Sequence, residues 1–271
     1  MKNNKLILIG GGILLALFII SFVGPLIINQ DISAVDLYNL SASPSSEHLM
    51  GTDELGRDTL VRLLYGGRVS LIVGIFATLL QVGIGIILGV LAGYFGGAID
   101  IIIMRIVDVV MCFPFFIVAI ALASVVGPSI YNIIFIIAVL SWTDVARIVR
   151  AEVLSVKERD FIMASRAVGF NNFDIISEHI IPNILSSVLV AMTLSMANAI
   201  LTEASLSFLG MGVRPPMPSW GNMLTAAQSM RTLSSEWWLW IPPGFMIIIS
   251  VLSINLIGEG FRSKLDSEKK V

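Results

Sequence analysis

Few side chains in this chain could do covalent chemistry, and they are scattered. His48 and His179 are the two histidines and Cys112 the one cysteine, so no three- or four-donor metal set can be assembled from them. There is no His-Glu-x-x-His helix and no Ser/His/Asp set falling on one side of the apolar runs. There is also no Gly-Lys dipeptide, so the Gly-rich phosphate cradle that ends in Lys-Ser/Thr is absent. The chain instead places polar groups inside apolar runs. Arg105 and Asp108 are i, i+3 neighbours and are expected to pair on one helix face. Ser195, Asn198, Thr202 and Ser205 follow one face of a later run, with Glu203 beside them. They either line a path through the bilayer or hydrogen-bond between helices, and the residues leave both open.

The elements that must position these groups are membrane spans. Of 271 residues 56% are apolar and 13% charged, too few charges to cover a soluble surface. The net charge of −2 gives no footing for nucleic acid, and one cysteine excludes a disulfide scaffold. A helix needs about 20 apolar residues to cross the hydrocarbon. Six runs meet that test, at about 6–28, 70–94, 99–126, 130–148, 184–209 and 237–258. The first follows Lys2 and Lys5 but is too long for a signal-peptide core and is read as an uncleaved span. Continuous runs of this length mean helices, not barrel strands. Gly85, Gly89 and Gly93, spaced by four, are read as a close helix-packing face. Six spans put both termini on one side. With that side cytoplasmic, 12 basic residues lie inside and 5 outside, so both ends are expected in the cytoplasm. Arg57, Arg62 and Arg68 run against that rule and need separate explanation.

Three segments lie outside the lipid. The first, 29–69, contains Gly51-Thr52-Asp53-Glu54-Leu55-Gly56-Arg57-Asp58. Leu60, Leu63 and Leu64 then follow at helical spacing, which predicts an interfacial helix capped by Thr52 or Asp53 and ending at Gly66-Gly67. Arg57 is expected to pair with Asp53 or Asp58. The second, 210–236, is rich in Pro and Gly and leads into Trp237, Trp238 and Trp240, read as an aromatic belt. The third, about 149–182, reads as two short helices. Phe161, Ala164, Ser165 and Val168 share one helical face, and Gly169 fits a left-handed C′ position before Phe170 and Asn171. Asn172 is expected to cap the next helix, and Pro182 to interrupt or restart it before the fifth span. Small residues on the shared face let another backbone come close, which favours docking of a soluble partner over a loop lying on the membrane.

At this loop the sequence resembles the permeases of binding-protein-dependent ABC importers. Their pattern is Glu-Ala-Ala, three residues, Gly, nine residues, Ile, one residue, Leu-Pro. Here Met163-Ala164-Ser165, Gly169, His179, Ile181 and Pro182 stand at those positions, without the Glu and with His for the first aliphatic. The finer resemblance is to the second permease subunit of the dipeptide, oligopeptide and nickel branch. It rests on Gly51 through Asp58, Ala92-Gly93-Tyr94-Phe95-Gly96-Gly97, Met104-Arg105-Ile106-Val107-Asp108, Glu203 through Gly210 and Pro218-Ser219-Trp220-Gly221. It covers nearly all of 48–260.

The resemblance implies an all-α membrane protein of the type I ABC importer permease fold, with six transmembrane helices and cytoplasmic termini. It implies an N-terminal helix at 1–28, an extracytoplasmic loop at 29–69, a permease domain at 70–260 and a cytoplasmic tail at 261–271. The chain would be a transport subunit and not an enzyme. It would pair with a second homologous permease, two cytoplasmic ATPases and an external solute-binding protein, in a cytoplasmic (inner) membrane. No cofactor belongs to this chain; ATP and Mg would sit on the ATPases. Phe161, Ala164, Ser165, Gly169, Phe170, Asn171 and Pro182 would form the loop that couples to the ATPase. Ser195, Asn198, Thr202, Glu203 and Ser205 would be path candidates. Asp53, Glu54, Arg57 and Asp58 would form an outer gate or a dock for the binding protein. The implied cargo is a di- or oligopeptide, with nickel or a metal–metallophore complex as the alternative. An ion-coupled carrier is a distant alternative, lacking the internal repeat such carriers show.

Overall fold

The computed structural model describes residues 2–28 and 30–268; Met1, Asn29 and 269–271, with the basic tail residues Lys269 and Lys270, lie outside the described residues. Five helices are long and apolar enough to cross a membrane, and a bent pair makes a sixth crossing if taken as one span. The helices are α1 (Lys2–Ile28), α2 (Thr59–Phe95), α3 (Gly97–Met111), α4 (Phe115–Val126), α5 (Ile130–Lys157) and α6 (Asp160–Ala167). They continue with α7 (Asn172–Asp174), α8 (Ile181–Phe208), α9 (Trp220–Met223), α10 (Met230–Ser235) and α11 (Ile241–Glu268). α1 packs along α11 with the start of α1 and the end of α11 at the same end of the bundle, the end where α2 and α5 finish and α6 sits. We call this the terminal end; the segments 30–58 and 209–240 cover the far end.

The expected interfacial helix is not a separate element. Asp53 spends its carboxylate on a turn: its Oδ1 accepts from the backbone N–H of Leu55 at 2.9 Å and of Arg57 at 3.0 Å. The helix begins only at Thr59, where Asp58 Oδ1 accepts from Val61 N–H at 3.0 Å. Leu60, Leu63 and Leu64 are therefore the first turns of the second span itself, and α2 runs 37 residues, or about 55 Å, straight through Gly66-Gly67. Those two glycines do not end the helix. They admit the turn at Ser219–Trp220, whose indole is fully buried against Leu63 and donates to its carbonyl at 3.0 Å.

The tightest seam is α2 against α5. A Cβ on Gly85 would lie 2.6 Å from Val145 Cβ, one on Gly89 2.7 Å from Ala146 O, and one on Gly93 2.8 Å from Val153 Cβ. The face of this glycine series lies against α5. Two of these distances are to β-branched Cβ atoms and one is to backbone, so none can be relieved by swinging a flexible side-chain tip.

The third apolar run is broken. Cys112–Pro114 joins α3 and α4 at 84°, with Pro114, which lacks an N–H, at the head of α4. The expected Arg105–Asp108 pair does not form. Asp108 sits beside Val107, which is buried on Trp142 and Ala146, so its carboxylate turns toward α5 and meets Arg147 at 2.6 Å. One more α5 arginine is taken the same way: Arg150 holds Asp100 with two bonds of 2.5 and 2.6 Å. Arg105 is exposed and makes no ion pair among the described residues.

The three arginines that ran against the charge rule each have an internal partner. Arg57 Nε lies 2.7 Å and Arg62 Nε 3.3 Å from Asp53 Oδ2. Arg68 answers a proline: Pro25 inside α1 has no N–H, which orphans the Ser21 carbonyl four residues earlier. Arg68 donates to that carbonyl at 3.0 Å and to the Phe22 carbonyl at 2.7 Å. Of the expected tryptophan belt only Trp237 is exposed, because Trp238 folds inward and its Nε1–H donates to the Thr52 carbonyl at 3.2 Å.

Two outcomes follow. Gly89→Val overpacks the α2–α5 seam and should cost about 1–3 kcal/mol, read as a lower unfolding temperature in detergent, whereas Gly83→Val, at an open position, should not. Arg68→Ala should cost about 1.5–3 kcal/mol with Pro25 present and less in a Pro25→Ala background, where Ser21 regains its helical donor; equal costs in the two backgrounds would refute the pairing.

Candidate functional site

The segment from Asp160 to Asp174 projects from the terminal end and is tied down mainly by Tyr94, at the last turn of α2. Tyr94 is buried. Its hydroxyl donates to Asn172 Oδ1 at 2.8 Å, and its carbonyl accepts from Lys157 Nζ at 2.6 Å. The Arg166 guanidinium stacks 5.4 Å from its ring centroid. One residue thus joins the ends of α2 and α5 to both arms of the loop. Ile162 is the only α6 residue that is fully buried; it enters a cluster with Val153, Val156, Ile175 and Ile180.

The face read as Phe161, Ala164, Ser165 and Val168 is the outward one. Phe161, Ala164 and Val168 are exposed, Val168 at 79%, while Ser165 is half-buried and donates back to the Phe161 carbonyl. Gly169 follows at φ +93°, a conformation that a residue with a Cβ adopts only under strain. Phe170 is exposed, and Phe173 at 76%. The cap is Asn171 and not Asn172: its Oδ1 accepts from Asp174 N–H at 2.9 Å, while Asn172 is engaged by Tyr94. Pro182 changes the winding without breaking the rod. A π-helical stretch, Ile175–Ile180, precedes it, and Asn183 Nδ2 donates to the His179 carbonyl at 2.7 Å. From Asn172 to Phe208 the chain is one continuous helix that carries the loop's second arm into the bundle. Apolar knobs held on a braced loop, with nothing covering them, are the form of an interaction surface.

The polar strip divides in two. Ser195, Asn198 and Thr202 line a cavity of about 230 Å³ between α5 and α8, together with Gln81, Ser141 and Asp144. Gln81 is buried and its Nε2 reaches the Ser195 carbonyl at 3.5 Å. Ser205 lies beyond this cavity and donates to the Leu201 carbonyl. Glu203 faces elsewhere, since one position past Thr202 is a 100° rotation around the helix. It is fully buried, accepting from Ser70 Oγ at 2.8 Å and Ser207 Oγ at 2.7 Å. Ser70 Oγ in turn accepts from Trp220 N–H at 3.2 Å. Glu203 therefore joins α2, α8 and α9, the helix-bonding alternative for this residue. Gln81, Ser141 and Asp144 were not singled out from the sequence, and Tyr94 entered only within a motif of the resemblance. Of these Asp144 carried a visible signal, a carboxylate inside the apolar run 130–148.

At the far end Asp53, Glu54 and Arg57 line a larger cavity of about 440 Å³ with Arg62, Asn222 and Thr225. Asp58 is not part of it; besides capping α2 it holds His48 Nδ1 at 2.9 Å.

Residues 85–271 match the family model described as binding-protein-dependent transport system inner membrane component. The chain is 41% identical over 270 residues to the dipeptide transport system permease protein DppC of Alkalihalophilus pseudofirmus, covering 100% of this chain and 88% of that one. It is 38% identical over 266 residues to the oligopeptide transport system permease protein OppC of Bacillus subtilis, covering 98% and 86%. It is 42% identical over 235 residues to the glutathione transport system permease protein GsiD of Pectobacterium atrosepticum, covering 87% and 77%. The matched region contains the projecting loop, the α2–α5 glycine seam and the polar groove apart from Gln81, and the relatives extend the match over the rest. The chain is a multi-pass membrane protein of the permease type I fold and belongs to the family of binding-protein-dependent transport system inner membrane components.

Proposed function

We propose that this chain is one permease subunit of an ATP-driven importer for di- or oligopeptides. The observation that carries the reading is the braced loop around Gly169. Its exposed apolar side chains need a partner, and its anchors reach the adjoining C-terminal ends of α2 and α5. The partner is an ATPase dimer that binds ATP and Mg, because this chain has no phosphate cradle of its own. Closure of the ATPases would push the loop, and the continuous rod from Asn172 to Phe208 would carry that displacement to the groove. Peptide cargo comes from the relatives, whose names give dipeptide and oligopeptide transport. A second permease would complete the path, and an external binding protein would deliver the cargo at the far end, where Asp53, Glu54 and Arg57 line the open cavity. The terminal end is cytoplasmic in this reading. Four of the five arginines assigned outside (Arg57, Arg62, Arg68 and Arg231) are held by carboxylates or carbonyls, and the count of 12 basic residues inside against 5 outside carries the orientation.

Cells with and without the gene should be offered labelled dipeptides, labelled longer peptides and labelled nickel, free or chelated. Loss of peptide uptake alone is expected; loss of nickel uptake alone would overturn the cargo. Gly169→Asp should reduce uptake below about one-tenth while the chain remains in the membrane. Val168→Asp, which adds a charge without backbone strain, should do the same, and normal uptake by both variants would remove the loop from the mechanism.

A further inference from the structure

The groove between α5 and α8 has a chemical character of its own. Its α5 wall is Ile137, Ser141, Asp144, Val145 and Ile148, and its α8 wall carries Ser195, Asn198 and Thr202. Asp144 lies inside the apolar run 130–148 of α5, about one turn from its terminal end, and its side chain is open to the groove. A carboxylate at that depth is costly unless it meets water or a cation. The nearby arginines are spent: Arg147 is bound to Asp108 and Arg150 to Asp100. Arg105 makes no pair with it, and among the described residues Asp144 has no counter-ion. The groove therefore keeps one net negative charge, ringed by hydroxyls and by the Gln81 and Asn198 amides. A metal ion is a poor fit, because no group of three His, Cys, Asp or Glu side chains gathers anywhere among the described residues. An ammonium group fits: it needs one carboxylate and a few neutral acceptors, and every unblocked peptide carries one at its amino terminus.

We propose that Asp144 is a cargo-binding residue of the path that receives the protonated amino terminus of the peptide, with Ser141, Asn198 and Thr202 as neutral acceptors around it. This rests on the peptide reading above. The test uses the intact transporter reconstituted in vesicles with its binding protein. Asp144→Asn should lower uptake of a labelled tripeptide at least tenfold while ATP hydrolysis stays within twofold, and Asp144→Glu should restore at least half. In a Cys112→Ser chain, Asp144→Cys should react faster with a cationic than with an anionic thiosulfonate reagent, and peptide-loaded binding protein should slow that reaction at least fivefold. Unchanged uptake by Asp144→Asn, an unreactive Asp144→Cys, or a reaction blind to peptide and to reagent charge would each overturn the proposal. If the wild-type complex moves no peptide, the cargo reading fails separately, and the cationic-to-anionic labelling ratio alone judges whether the groove favours cations.

Discussion

The structure depends on one close approach. Along Gly85, Gly89 and Gly93 the backbone of α2 meets the side chains and carbonyls of α5 with no room for a methyl group. In lipid no hydrophobic force pulls helices together, so packing of this kind must hold the pair. Once α2 and α5 are fixed side by side, their ends at Phe95 and Lys157 are fixed too. Tyr94 can then bridge them and hold the loop. The groove follows from the same seam, since Gln81 on α2 and Asp144 on α5 are brought to α8 by it.

Around that seam, polar groups in apolar surroundings are paired by a small set of devices. Arg68 fills the hydrogen-bond gap left by Pro25 in a neighbouring helix. Asp53 satisfies a turn and two arginines with one carboxylate. Asp100 and Asp108 bind α3, a helix with only Ile103 and Val107 buried, to the arginines of α5. Glu203 is surrounded by serine hydroxyls. Asp144 is the one that stays outside such an arrangement among these, which is why it reads as a site for something that arrives.

Much of this was legible in the sequence for physical reasons. Apolar runs of about 20 residues have few outcomes in lipid, so the spans were readable, and glycines at spacing four announce a seam. The Gly169 turn was readable because a positive φ asks for glycine. What failed were choices between partners of equal chemistry. Asp108 could take Arg105 or Arg147, and local spacing favours the former; only the burial of Val107 decides for the latter. Asp53 could cap a helix or close a turn, and both use the same carboxylate. Glu203 shared a stretch with the groove residues but not their face. Pro114 bends its run by 84° while Pro25 is absorbed because Arg68 supplies donors from a neighbouring helix, and Pro182 is absorbed in the π-helical stretch that precedes it. Such rescue cannot be read from one-dimensional spacing.

The central claim is that the braced loop is the surface where the driving force enters. The most direct measurement is maleimide labelling of Val168→Cys in a Cys112→Ser chain, in membranes with and without the ATPase subunits. The account predicts rapid labelling of the permease alone and strong protection when the ATPases are assembled. Equal labelling in the two states would contradict it.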